Sequence, residues 1–260
     1  MAGRVEEGID EAWLDRLYAA DPAAHALSVW DRIAWPQLVE FRTLLEGGAP
    51  SAYLLIWKGL PECPVIHWAG EARDPEPLLA TFPPRPFLAI VPPELAPSVA
   101  GRHPPTETYS LRLRRLTGIM PLPVAGRPTR RLGRADLPAL RALAAEDGST
   151  VTDTYLAIDL DYDWVVGGFD GSRLVAVARA EVRLPQVWHI SGVCTLRSFR
   201  GRGWGRAVVG HLMRDASERK ASVGLYVRDD NVPARRMYDR LGFEPGTPRA
   251  WVDAGAHRSP

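Results

Sequence analysis

A chain of 260 residues and 28.7 kDa is long for one domain and comfortable for two, and its hydrophobic fraction of 46% is ordinary for a globular protein. No apolar run reaches transmembrane length, and the acidic start MAGRVEEGIDEAW lacks the apolar segment of a secretory signal. With only Cys63 and Cys194 as cysteines, a reducing, cytoplasmic setting without a disulfide framework is expected. The net charge of +1 divides into −4 over residues 1–120 and +5 over residues 121–260, an excess that suits an anionic small ligand on the second half and is far too small for nucleic acid.

In chain order, residues 10–47 read as helices. Trp13, Leu14, Leu17 and Tyr18 form one stripe; Leu38, Phe41, Leu44 and Leu45 form another, closed by Gly47-Gly48. Short β-like runs follow at Ser51–Trp57, Val65–Ala69, Phe87–Val91 and Thr106–Leu116. Of the 24 prolines, 18 lie in residues 1–128, so helices there should be short. His25, His67 and His103 are scattered without metal-ligand spacing, and no metal site is expected. Met120–Pro128, with three prolines and a glycine, is the linker candidate, giving domains at 1–120 and 129–260 joined by 121–128. No repeat of 20–50 residues is evident.

The second half follows a β-α-β order. Thr129–Leu132 reads as a strand, Asp136–Ala145 as a helix with Pro138 in its first turn, and residues 151–160 as a weak helix. Trp164–Phe169 and Leu174–Val182 form a hairpin across Asp170-Gly171. The next stretch, Val187 to Asp215, starts with β-prone residues, passes through Arg200-Gly-Arg-Gly-Trp-Gly205, and continues with Val208, Leu212 and Met213 at helical spacing. Ser222–Val227 reads as a strand and Pro233–Leu241 as a helix ended by Gly242. Trp251 and Val252 belong to the last strands. The predicted fold class is α/β, a mixed sheet with helices on both faces.

Strand, glycine-rich turn and helix together form an anion site. The first amides of a helix have no intrahelical partner, and the dipole adds positive charge there. Gly201, Gly203 and Gly205 remove Cβ atoms from the approach, while Arg197, Arg200, Arg202 and Arg206 surround it with cations. A tight strand-to-helix connection without a ligand would look similar. A dinucleotide-binding turn would need further glycines and a second parallel strand ending in an acid, which the sequence does not offer.

Arg200-x-x-Gly203-x-Gly205 resembles the acyl-CoA pyrophosphate loop of the GNAT superfamily of N-acyltransferases. Asn231-Val-Pro-Ala234-Arg-Arg-Met-Tyr238 with Leu241-Gly242-Phe243 resembles that superfamily's other signature. Ile190–Thr195 is similar to one branch of it. The resemblance covers residues 128–253, and the helices-then-strands order of the first half is similar to the degenerate GNAT-like domain of tandem members.

The resemblance implies an N-acetyltransferase that passes an acetyl or other acyl group from acetyl-CoA to an amine by direct attack. The alternative is an acyl-CoA-binding sensor or structural module without efficient catalysis. It implies that Arg200, Gly201, Arg202, Gly203, Trp204, Gly205 and Arg206 hold the pyrophosphate. Val193, Cys194 and Thr195 line the pantetheine arm, Val193 supplying an oxyanion donor. Asn231, Ala234 and Tyr238 complete the cofactor side, and Tyr238 stands where a general acid for the departing sulfur is placed. That branch commonly has glutamate before Ile-Ser, whereas this chain has His189, so His189 is the candidate base and Glu181 the runner-up. Thr195 is followed by Leu196-Arg197 rather than the branch's His-Pro, so the acceptor does not carry over. The expected partner is a small-molecule or peptide amine, with no nucleic acid or membrane, in a monomer or homodimer.

Overall fold

The structure is a computed structural model that describes residues 3–59, 63–103, 107–116, 126–148 and 160–255. Most of the linker candidate and of the weak helix at 151–160 lies outside those residues. The chain divides into two compact units. The first comprises residues 1–113, 227–231 and 246–260; the second comprises residues 114–226 and 232–245.

The first unit opens with β1 (Arg4–Glu7), α1 (Glu11–Ala20) and α2 (Pro22–Ala34). Asp10 caps α1 by accepting from the Trp13 amide at 3.1 Å, and Asp21 caps α2 through the Ala24 amide at 3.2 Å. Pro22 sits in the first turn of α2, where its missing N–H is harmless. There follow β2 (Val39–Glu46), β3 (Ala49–Trp57), β4 (Val65–Gly70), α3 (Glu76–Leu79), β5 (Leu88–Val91), α4 (Ala96–Arg102) and β6 (Glu107–Leu116).

Of the stripe Leu38, Phe41, Leu44 and Leu45, read from sequence as helical, the last three lie in the strand β2 and Leu38 ends the short 3-10 turn Pro36–Leu38 before it. The burial of β2 alternates across Phe41-Arg42-Thr43, and the strand pairs antiparallel with both β1 and β3. Apolar spacing of three and four over one short run fits either period, and cross-strand pairing decides it. Gly47 and Gly48, with φ of +63° and +85°, form the two-residue hairpin turn between β2 and β3 rather than a helix cap.

The second unit contains β7 (Thr129–Arg131), α5 (Leu137–Asp147), β8 (Trp164–Asp170), β9 (Arg173–Arg183), β10 (Val187–Thr195), α6 (Trp204–Glu218), β11 (Ser222–Arg228) and α7 (Val232–Arg240). The last strand, β12 (Glu244–Asp253), pairs antiparallel with β5, and its later residues belong to the first unit. The strand order is β1-β2-β3-β4-β5-β12-β6 in the first unit and β11-β10-β9-β8-β7 in the second. β4 pairs parallel with β5, and β10 with β11.

The first unit's core gathers Leu54, Ile56, Ile66, Trp68, Phe87 and Val252. In the second, α6 buries Trp204, Val208, Leu212 and Met213, one helical face, and contacts β8, β9 and β10. Gly168 of β8 permits the close approach: a Cβ there would lie 3.0 Å from the Trp204 ring and 3.3 Å from Val208. This packing fixes the start of α6, and with it the glycine-rich turn, at the end of β10.

Candidate active site

The parallel ladder between β10 and β11 runs from Val187–Ser222 to Ile190–Leu225 and ends there. Beyond it Ser191–Thr195 continues to pair with β9 on the other side, through a register shift between Ser191 and Cys194. Gly192 occupies this bulge with φ of +57°, and a Cβ there would stand 3.2 Å from Nε of Arg179. Among the described residues the β10–β11 ladder does not reach Val193 to Thr195, whose backbone therefore offers on the β11 side an edge of the kind an extended ligand can line.

After β10 a short turn at Arg197–Phe199 leads into the glycines. Gly201 and Gly203 adopt φ of +74° and +84°, and a Cβ on either would point into open space. Their need for glycine comes from backbone conformation and not from crowding within the chain. Gly203 is the residue before α6, and no side chain caps the helix there. The amides of Trp204, Gly205 and Arg206 thus start a 15-residue helix with its dipole uncompensated. Gly205 is different: a Cβ on it would lie 3.2 Å from the Met237 sulfur and 3.4 Å from Thr195 Oγ1. At that point the end of β10, the start of α6 and the helix α7 meet.

The arginines divide into two groups. Arg200 is committed within the chain, donating from Nε to the Thr195 carbonyl at 2.9 Å and from Nη2 to Asp147 at 3.0 Å, so it braces the loop against β10 and the end of α5. Arg202 lies over Phe199 at 5.6 Å, and Arg197 and Arg206 are exposed. Arg127, which the sequence did not single out, stacks over Trp204 at 5.0 Å and donates to the Arg202 carbonyl at 3.2 Å. Asp147 was also not foreseen; 53 residues separate it from Arg200, and nothing in the local sequence marks it.

Cys194 lies half-buried beside Asp147, and burial, then the hydrogen bond and charge of that carboxylate, push its thiol up to about 12. Tyr238 on α7 is 5% exposed, next in sequence to Met237, with its ring edge-on to Phe243 at 5.6 Å. Burial raises its phenol to about 12, so it stays protonated at neutral pH. Ala234 lies one turn earlier on the same helix, and Asn231 precedes the helix, its amide donating to the Arg228 carbonyl at 3.1 Å.

His189 and Glu181, weighed from sequence as alternative bases, are in contact: Nδ1 of His189 is 2.8 Å from Oε1 of Glu181. A second register shift, between His189 and Ile190, makes Glu181 the extra residue on β9. The imidazole is buried, 5.3 Å from the Tyr226 ring, and its Nε2 has no hydrogen-bond partner among the described residues. A buried nitrogen left so costs about 1–3 kcal/mol. Burial works to raise the Glu181 carboxyl, but the hydrogen bond and charge of His189, with the Arg179 charge and the Ser191 hydroxyl, hold it at about 2. Among the described residues no group of three or more His, Cys, Asp or Glu could hold a metal ion, and no helix is long and apolar enough to cross a membrane.

The sequence model of the Acetyltransferase (GNAT) family matches residues 137–243. No curated protein matches the chain. Among solved structures, a GCN5-related N-acetyltransferase from Sphaerobacter thermophilus is similar with a TM-score of 0.63 at 15% identity, over 97% of this chain and 96% of that one. One from Kribbella flavida gives 0.58 at 19% identity over 91% and 97%. A tandem GNAT protein from the clavulanic acid biosynthesis pathway gives 0.57 at 15% identity over 98% and 99%. Residues 137–243 match the Acetyltransferase (GNAT) family model, and the fold of the chain is similar to that of GNAT proteins, a tandem one among them.

Proposed function

We propose that the second unit is an N-acyltransferase that takes the acyl group of acetyl-CoA, or a close acyl-CoA, and transfers it directly to an amine. The observation that carries this reading is the uncapped start of α6 behind two left-handed glycines, inside the segment that matches the GNAT family. The donor set suits a pyrophosphate: free helix amides, open space over Gly201 and Gly203, and the exposed guanidinium groups of Arg197, Arg202 and Arg206. Arg200 and Arg127 hold that loop in shape.

The chemistry asked of the chain is modest, because positioning two substrates together provides much of an acyl-transfer rate. A backbone amide near Val193 serves the tetrahedral oxyanion, and Tyr238 protonates the departing sulfur. A base among His189 and Glu181 receives the amine proton. The only cysteine of the second unit, Cys194, is held as a thiol, which favours direct attack over an acyl-enzyme. The acceptor is a small-molecule or peptide amine, and the chain works as a monomer or homodimer in the cytoplasm without a metal.

Among its described residues the first unit has no such loop. Where β4 leads into α3 the chain reads Glu71-Ala-Arg-Asp-Pro75, α3 has four residues, and the Glu46 carboxylate accepts from the amides of Arg73 and Asp74 at 3.0–3.2 Å. We therefore assign one acyl-CoA site per chain. An amine panel with acetyl-CoA and released-thiol detection tests the activity. Turnover of at least one amine is expected. Acyl-CoA binding without any turnover would leave a sensor or structural module instead.

A further inference from the structure

We infer that Glu181 and His189 work as one unit, in which Nε2 of His189 receives the proton of the acceptor ammonium and Glu181 fixes the tautomer of the ring. This rests on the acyl-transfer reading above and replaces two rival bases by one base and one positioning residue.

The geometry assigns the protons. An ionised carboxylate only accepts, so the 2.8 Å contact places a hydrogen on Nδ1 of His189. A neutral imidazole then carries its lone pair on Nε2, the nitrogen that is buried without a hydrogen-bond partner among the described residues. A histidine retained only for packing would leave neither nitrogen in that state, since buried polar groups are nearly always paired.

Glu181 is itself fixed. Arg179 reaches it at 3.7 Å while also donating to Ser191 at 2.9 Å and lying 3.6 Å from Asp163. That web keeps the carboxyl ionised far below neutrality, so it is too weak a base to deprotonate an ammonium but well suited to stabilise an imidazolium. The groups facing His189 are Glu181 from β9 and Tyr226 from β11, with Arg179 and Asp163 behind Glu181. His189 stands one residue before the last rung of the β10–β11 ladder, at the base of the fork whose upper end is the glycine loop.

The protons balance as follows. The ammonium N–H bond breaks and its proton goes to Nε2, while Nδ1–H stays with Glu181. The freed amine forms the C–N bond at the thioester carbonyl, the C–S bond breaks, and Tyr238 protonates the sulfur. The second proton on nitrogen restores the phenol, and His189 returns its proton to solvent.

Two measurements on the full chain test this. With 15N-histidine labelling, neutral His189 should show its proton on Nδ1 and a bare Nε2, a preference lost in Glu181→Ala. In pH–rate profiles, Glu181→Gln should move the acidic limb of kcat/KM to lower pH by about one unit or more, because the imidazolium loses its anionic partner. His189→Gln should remove that limb and lower kcat about a hundredfold, with the acyl-CoA Kd unchanged. A proton on Nε2 in the parent protein, an unmoved limb in Glu181→Gln, or a limb that survives in His189→Gln would overturn the inference. If the parent turns over no amine, the acyl-transfer reading fails by itself, and the labelling experiment still decides how the pair shares its proton.

Discussion

Tyr238 and Cys194 differ in what their surroundings leave them able to do. Tyr238 lies on α7, with its proton retained by burial. Tyr238→Phe keeps the ring packing on Phe243 and removes only the donor, so turnover should fall by about a hundredfold or more while acyl-CoA affinity, read by calorimetry, stays within about twofold. A thiol at about 12 is thiolate to about one part in a hundred thousand at neutral pH. Cys194→Ala should therefore keep most activity, and mass spectrometry of the parent should trap no acyl-cysteine. Away from the site, His25 is buried with Nδ1 3.0 Å from the Tyr53 hydroxyl, and desolvation lowers it to about 4. The unfolded chain takes up that proton near 6.5 and the folded chain only near 4, so stability is full above 6.5 and declines as pH falls toward 4, by up to about 3 kcal/mol. Urea midpoints across that window should show the decline, and His25→Gln should flatten it. At this scale the sequence showed which residues could act but not which of them touch. Glu181 and His189 appear as alternatives in a linear reading because two register shifts, which leave no sequence mark, bring them together.

Strand, glycine turn and helix were legible as an element because each part has its own local signal: β-prone residues, glycines where the backbone turns left-handed, and apolar spacing along one helix face. Gly203→Asp tests that element. A Cβ there meets no atom within 4 Å, so the fold should lose only roughly 1–2 kcal/mol, the cost of a left-handed non-glycine residue. The added negative charge at the uncapped helix start should weaken acyl-CoA binding far more, by about a hundredfold, as isothermal titration would show. The strand β2 was not legible as a strand, since an eight-residue run with apolar residues three and four apart carries no unique period. The four-residue β1 that pairs with it has one partly buried residue and three exposed ones, too little pattern to announce itself.

Among the described elements the two units repeat one order: strand, helix, three antiparallel strands, helix, parallel strand, helix, strand; the first has the further helix α2 before its antiparallel strands, and in the second residues 160–162 are helical before β8. The helices-then-strands order of the first half pointed to this duplication, although no short sequence repeat marks it. Its period is about half the chain, and the first copy replaced the glycine loop and the 15-residue helix by an acidic turn and a single helical turn. The closing strand β12 also defeats a linear division, because it pairs with β5 and its end packs in the first unit's core. We propose one acyl-CoA site per chain, in the second unit. Isothermal titration of the full chain with acetyl-CoA in the presence of a chelator tests that claim most directly. Binding at one site per chain is expected, unchanged in Glu46→Gln of the first unit and weakened about a hundredfold in Gly203→Asp. No heat of binding at millimolar ligand, two sites per chain, or binding indifferent to Gly203→Asp would contradict it.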